Sequence, residues 1–496
     1  MKIFHKKTYR FPVAKVATTV ILVSVLASSC KKDFLTEAPV LELPQTEAYT
    51  SAQRIDKVIT GLYSSAKSGS LFGGRYHVYN DIRAEEYILR DPNNATGADV
   101  FQGTNDATNS YISSFWSVGY TTINRANLAI EGLTANTSGL PATVIDPALG
   151  EAKFIRGLVY FQLVQIFAKA YVINNGASRG LPLRLLPETT GGNNALASST
   201  VAQVYAQIIK DLDEAEAQLP ATYSTALAKT TRAHKNTVRA LKTRVYLAMA
   251  NFPKVIEEGN KIVPASAPFS TTVGAGHTLA TNVASLYLSP YTASESIFSF
   301  PMAATNAPGT QNPLAYYYNS FSGALLIYPI NKNAPSIYAD PIWPATDARK
   351  IAFTALYTGS GYTDQPVLKK YNTPSPFTDF VPMIRYAEVL LNVAEAEARV
   401  TGGNLTRSRA LLDAVRHRSA PAYDFGVLTA TQLFETILKE RRIELLGEGQ
   451  RYNDLARLNR ALPAIGASGQ TIPVDDPRYT FPIPVNERNT NPLVGE

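Results

Sequence analysis

Between Glu440 and Leu455 the chain reads E-R-R-I-E-L-L-G-E-G-Q-R-Y-N-D-L, with seven charged side chains threaded through aliphatic ones. A solvated helix does not need its charges interleaved in that way. Glu and Arg three or four residues apart can pair, and an Arg can hold a carboxylate through two hydrogen bonds. The run is therefore expected to be a half-buried ionic knot of Glu440, Arg441, Arg442, Glu444, Glu448, Arg451 and Asp454 that closes a helical scaffold. The alternative is a ligand site for charged groups.

Helical periodicity supports such a scaffold. Thr200-Val201-Ala202-Gln203 fits a capping box, in which the Thr and Gln side chains satisfy free N–H groups reciprocally. Val204, Ile208, Leu212, Ala215 and Leu219 continue the stripe until Pro220 ends it. Val238, Leu241, Val245 and Ala248 form the next, followed by a short helix around 255–262. A further stripe runs through Ile384, Ala387, Leu391, Ala394 and Ala398 to Gly402-Gly403, and 405–415 runs back after it. Residues 151–168 are apolar almost all round, which predicts a buried helix. Short loops between such helices imply antiparallel neighbours and a helical-repeat architecture.

Residues 264–382 lack this period and are rich in Pro, Ser, Thr, Asn and Tyr. Between Leu286 and Trp343 there are 11 aromatics in 58 residues, against 49 in 496 overall. A long irregular segment on a helical scaffold is where binding residues concentrate. The stretch 69–109, with Phe72, Tyr76, Tyr79, Arg83 and Phe101, has the same loop-like character.

The one cysteine, Cys30, follows Lys2, Lys6, Lys7, Arg10 and Lys15 and an apolar run from Val16 to Ala27. That run is too short to span a bilayer and reads as a secretory signal. The expectation is removal of residues 1–29 and acylation of Cys30, the alternative being an incidental cysteine in an ordinary leader. A single cysteine allows no internal disulfide. The first 30 residues hold five of the 47 basic groups and none of the 40 acidic ones. The remaining 42 basic and 40 acidic residues leave no electrostatic footprint of a nucleic-acid binder.

Catalytic patterns are missing. No G-x-S-x-G, H-E-x-x-H or phosphate-cradling loop occurs, and His5, His77, His234, His277 and His417 are scattered. Glu85-Glu86, Glu257-Glu258 and Asp475-Asp476 read as solvated charges, because sequence neighbours point apart. A glycosidase using two distant carboxylates stays open as a rival, and so does a scaffold that joins partners without a small ligand.

The charge-rich run extended to Arg457, together with Ile384–Ala396, resembles the SusD/RagB family of outer-membrane nutrient-binding lipoproteins. Similar matches run through 30–35, 116–127, 151–158, 211–215, Asp347-Ala348-Arg349 and Phe481-Pro482-Ile483-Pro484. Tyr452 stands where the family more often has tryptophan, Gly447 replaces a usual aromatic, and 167–170 lacks the common Tyr-Gly turn. The resemblance implies a mostly α fold of tetratricopeptide-like helix pairs with a loop-rich, variable ligand-binding region. It implies a signal peptide over 1–29 and one domain over 30–496. The scaffold would be about 30–263 and 383–496, the insertion about 264–382. It also implies a lipid-anchored surface protein of the outer membrane that binds an oligosaccharide or, in some branches, a peptide. The partner would be a SusC-like TonB-dependent barrel transporter, with no enzymatic activity, cofactor, metal or nucleic acid.

Sugars present apolar C–H faces flanked by hydroxyls, so flat rings with polar neighbours suit them. Trp343, Tyr316, Tyr317, Tyr318 and Phe101 are the candidate platforms. Trp343 leads them because Pro341 and Pro344 keep it out of a helix. Arg83, Asn105, Asp106 and Arg349 are the candidate polar contacts, Arg349 being equally a scaffold residue.

Overall fold

The computed structural model describes residues 47–192, 194–319, 326–359, 361–465 and 469–495. The leader and Cys30 lie outside the described residues. Among the described residues, nine longer helices carry the scaffold: α1 (Ala52–Ala66), α2 (Ser110–Ala135), α3 (Ala142–Phe167), α4 (Val201–Gln218), α5 (Lys235–Ala248), α6 (Phe252–Asn260), α7 (Tyr386–Arg399), α8 (Leu405–Ser419) and α9 (Ala430–Glu444). The tetratricopeptide-like helical scaffold expected from the sequence is the architecture found.

Local chemistry sets the boundaries. Thr200 caps α4 by accepting from the Gln203 N–H at 3.2 Å, while Gln203 accepts from the Thr200 N–H at 2.9 Å. Thr429 and Gln432 repeat the device at α9. The α4 stripe of Val204, Ile208, Leu212 and Ala215 is buried and packs on α3. Three residues join α5 to α6, and the chain turns between α7 and α8 at Gly402 and Gly403. Gly402 has φ +74°, and a Cβ on Gly403 would lie 2.1 Å from the Glu397 carbonyl oxygen.

Two boundaries differ from the stripes. α3 starts at Ala142, nine residues before Glu151, because Pro141 stands at its N-cap and Pro147 is accommodated inside it. Ile384 is not helical. It lies in strand β2 (Val381–Arg385), which pairs antiparallel with β1 (Ser296–Phe300), Phe298 opposite Ile384. The ladder holds the backbone extended until Tyr386, where α7 begins. Residues 264–382 otherwise contain short helical turns and a hairpin of β3 (Thr354–Gly359) and β4 (Tyr362–Leu368). One continuous apolar core takes side chains from Tyr49 to Val494, including Phe298, Tyr317 and Tyr328 from that irregular segment.

The charged run lies inside the molecule. Arg349 reaches Asp347 at 2.7 Å, Glu440 at 2.5 Å and Glu444 at 3.0 Å, with no side-chain exposure at any of the four. Arg385 holds Glu295 and Glu444 at 2.7 Å and Glu448 at 2.8 Å. Arg418 bridges Glu295 and Glu444, Arg416 binds Glu440, and Lys370 binds Glu448. Five cations thus face five carboxylates: Arg349, Lys370, Arg385, Arg416 and Arg418 against Glu295, Asp347, Glu440, Glu444 and Glu448. Burial alone would raise Glu448, but Arg385 and Lys370 draw it down to about 2. Glu444 is held well below the carboxylate range against the same burial, by Arg418, Arg385 and Arg349.

Neighbouring pairs extend the knot. Arg441 bonds Asp454 at 3.1 Å, and Arg457 joins Asp454 to Glu395. Glu85 and Glu86 are buried rather than solvated, because Arg442 and Arg451 reach them at 2.5–2.9 Å from more than 350 residues away. Gly447 also has its reason here. Its φ is +80°, and a Cβ would stand 2.2 Å from Leu368 Cδ2, so no aromatic fits.

Removing one partner of a buried pair leaves its counter-charges uncompensated. Glu444→Ala is expected to lower stability by about 3–5 kcal/mol, read as a lower urea midpoint at unchanged slope. Glu47→Ala, which breaks the exposed pair with Arg54, should shift it by less than about 1 kcal/mol.

The three buried histidines set an acid limit. Burial lowers His77 and His277 to about 4. Burial, reinforced by the His277 ring stacked 5.8 Å away, lowers His234 to about 3. The unfolded chain protonates all three near 6.5, and the folded one does not. Asp81 opposes this: burial raises its carboxyl to about 8, so the folded state keeps one proton that the unfolded chain releases above about 4. The unfolded state therefore binds two more protons than the folded between these limits. Stability should fall by up to about 2.7 kcal/mol per unit as pH drops from 6.5 toward 5, measurable by urea titration across that range.

Candidate functional site

Burial sorts the sequence-derived candidates. Trp343 is 1% exposed. Its ring meets Tyr338 edge-on at 6.1 Å, and its carbonyl accepts from Lys350 Nζ at 2.9 Å. Tyr317 donates to the Gln311 carbonyl at 2.6 Å, and Tyr318 donates to Asp81 at 3.0 Å. Phe101 packs on Tyr328 at 6.0 Å. These four rings are core, so they offer no face to a ligand. The expectation that they form an open platform is corrected accordingly.

The polar candidates divide similarly. The Arg83 guanidinium lies 4.1 Å over the Tyr452 ring and 4.9 Å from that of Phe481. It donates to the Arg478 carbonyl at 3.0 Å and to that of Tyr479. Arg349 is committed to the ion network. Both are structural ties buried against their neighbours. Asp106 is exposed, and its carboxylate accepts from the Thr108 N–H and hydroxyl at 2.8 and 2.6 Å, which lowers its pKa. Asn105 is half-buried beside it. The run 440–455 offers no open charge cluster, since its charged side chains are paired within the chain.

Tyr316 is the predicted platform residue that stays half-exposed, and its neighbours define the site. The Phe377 ring meets it edge-on at 6.2 Å. Three residues on, Phe380 stacks on Tyr291 with centroids 4.6 Å apart and planes 18° from parallel. Asp379 holds the 373–380 loop shut by accepting from the Thr373 N–H at 2.9 Å and hydroxyl at 2.8 Å. The Tyr291 hydroxyl donates to the same carboxylate at 3.2 Å. Phe377 and Phe380 thus stand on one closed loop, with the half-buried rings of Tyr316 and Tyr291 against them.

Two of them are strained. Tyr291 has φ +61° and Phe377 φ +58°, a left-handed conformation costly for a bulky L-residue. Each stands in a Ser-Pro-aromatic-Thr sequence, 289–292 and 375–378. Such strain persists only where surroundings over-determine it, and it concentrates at functional sites. This repeated tetrapeptide was the available sequence signal for Phe377, which with Phe380 lies outside the aromatic-rich stretch 286–343. Among the described residues no cluster of three or more His, Cys, Asp or Glu is arranged to hold a metal ion.

Comparisons with known proteins agree with this architecture. Residues 33–247 match a family model described as starch-binding and associating with the outer membrane, and residues 340–495 match that of the SusD family. SusD-like protein P2 of Formosa agariphila is 26% identical, covering 96% of this chain and 98% of its own. A laminarin-binding SusD-like protein superposes with TM-score 0.69 at 22% identity, over 89% of this chain and 98% of that one. A SusD superfamily protein from Bacteroides fragilis superposes with TM-score 0.80 at 32% identity, covering 90% of this chain and all of that one. With family models at both ends and that degree of identity over a shared fold, the chain belongs to the SusD/RagB family.

Proposed function

We propose that this protein is a cell-surface, lipid-anchored glycan-binding subunit that delivers oligosaccharide to a TonB-dependent outer-membrane transporter. The observation that carries the reading is the rim of half-exposed rings, Tyr316 with Phe377 and Tyr291 with Phe380. Flat rings complement the C–H faces of pyranoses, and the adjacent Ser, Thr and Asn side chains complement hydroxyls. A rim fixed before the ligand arrives loses little entropy on binding. A structural neighbour described as laminarin-binding supports a carbohydrate over a peptide. Asp379 already accepts from Thr373 and Tyr291, so it serves to fix the loop that carries Phe377 and Phe380.

Calorimetry with a panel of neutral oligosaccharides and peptides tests the rim. Tyr316→Ala/Phe377→Ala should weaken the best ligand at least about tenfold, about 1.4 kcal/mol. Unchanged affinity would remove the rim from the site, and a peptide as best ligand would reverse the specificity.

The anchor and the partner share one fractionation. The wild-type chain should sediment with outer membrane and retain a large barrel protein in a detergent pull-down, whereas Cys30→Ser should become soluble. Cys30→Ser remaining in the membrane pellet would overturn the anchor, and absence of a barrel from the wild-type pull-down would overturn the partnership.

A further inference from the structure

A concave site lies apart from the aromatic rim. A cleft of about 680 Å³ opens between α2, the segment from Arg184 to Gly192 with Asn194, and the helix Val485–Thr490. None of the rim residues lines it. Arg184 forms its floor, only 9% exposed. The guanidinium pairs with Glu188, donates to the Asn194 carbonyl at 2.8 Å and lies 3.7 Å from Glu487.

The walls are stapled from both sides. Asn124 of α2 clamps the Glu188 backbone, donating to its carbonyl at 2.9 Å and accepting from its N–H at 2.8 Å. Asn194 donates to the Thr490 carbonyl at 3.0 Å, tying the loop to the C-terminal helix. Glu487 accepts from the Trp116 indole N–H at 3.2 Å. The cavity is thus pre-formed by three segments distant in sequence, and its shape does not depend on a ligand.

Its chemistry selects the ligand class. The Tyr120 ring lines the cleft half-buried, backed by Trp116 at 4.8 Å. Exposed hydroxyls of Ser117, Thr121 and Thr190 surround it. One guanidinium against two carboxylates leaves one net negative charge, which disfavours anionic ligands. A ring, hydroxyls and carboxylates in an open polar cleft match a sugar's mixed surface.

We infer that this cleft is a second carbohydrate subsite, taking a neutral, hydroxyl-rich oligosaccharide segment independently of the aromatic rim. The inference extends the glycan-binding reading to a second location, and the two can fail separately. Two subsites on one body raise the effective concentration of a long chain held at both.

Trp116 reports on the cleft, because its indole N–H is bonded to a wall residue. The chain has two tryptophans, so 5-fluorotryptophan labelling of the full protein gives two ¹⁹F resonances, assigned with Trp343→Phe. Titration with laminarihexaose, maltohexaose and mannohexaose should shift the Trp116 resonance saturably for at least one of them and leave Trp343 in place. Ser117→Phe/Thr121→Phe, at two exposed positions one helical turn apart, should raise the Kd read at Trp116 at least tenfold. Tyr316→Ala/Phe377→Ala should leave that shift intact. An unmoved Trp116 resonance beside calorimetric binding lost only in the rim variant would overturn the cleft and spare the rim. A glucuronic acid oligomer shifting Trp116 as strongly as the neutral sugars would overturn the charge selection. No response by either method to any of the three sugars would overturn the cleft and count against glycan binding altogether.

Discussion

Glu444 receives three guanidinium groups whose chains arrive from different parts of the sequence. Arg349 comes from the irregular segment, Arg385 from the end of β2, and Arg418 from the end of α8. Glu444 itself ends α9, so one carboxylate fixes the relative positions of loop, strand and two helices. Each added pair extends the tie, Lys370 through Glu448 and Arg416 through Glu440. Desolvation offsets much of the attraction in such a cluster, so its net contribution to stability is modest. Its effect is on alternatives: with five charges of each sign, a misplaced segment strands a buried ion. With one cysteine in 496 residues, no internal disulfide can do this work.

The network also determines what the irregular segment can be. Asp347 and Arg349 bind it to α8 and α9, while Phe298, Tyr317 and Tyr328 bury its inner face in the common core. The side facing away keeps its rings half-exposed. These rings therefore stand on a support that is covalently distant and physically continuous, and the strain at Tyr291 and Phe377 has something rigid to work against.

Much of the scaffold was legible because its signals are local. The Thr200–Gln203 box and Pro220 mark α4 within twenty residues of chain. Ile384 misled because a strand and a helix meet at Tyr386, and apolar residues continue through both. Glu85 and Glu86 misled because Arg451 lies 366 residues beyond Glu85, a distance no window of sequence spans. The platform residues failed for another reason. Composition counts rings without saying which way they face, and Trp343, Tyr317, Tyr318 and Phe101 all turn inward. Tyr316 stays half-exposed, and its companion Phe377 is marked only by the repeated Ser-Pro-aromatic-Thr sequence, which does not give the direction of the ring. The ionic knot was visible as a pattern, but its partners Glu295 and Arg385 were not.

The two Ser-Pro-aromatic-Thr turns carry a consequence for how such a surface diversifies. One holds tyrosine and the other phenylalanine at the same left-handed position, so the turn tolerates either ring without a change of backbone. The orientation of the ring is written in the main chain, and its chemistry in a single replaceable side chain. The ring at each tip can then be exchanged by point substitution while the ion-paired base stays untouched, so change at this surface does not endanger folding.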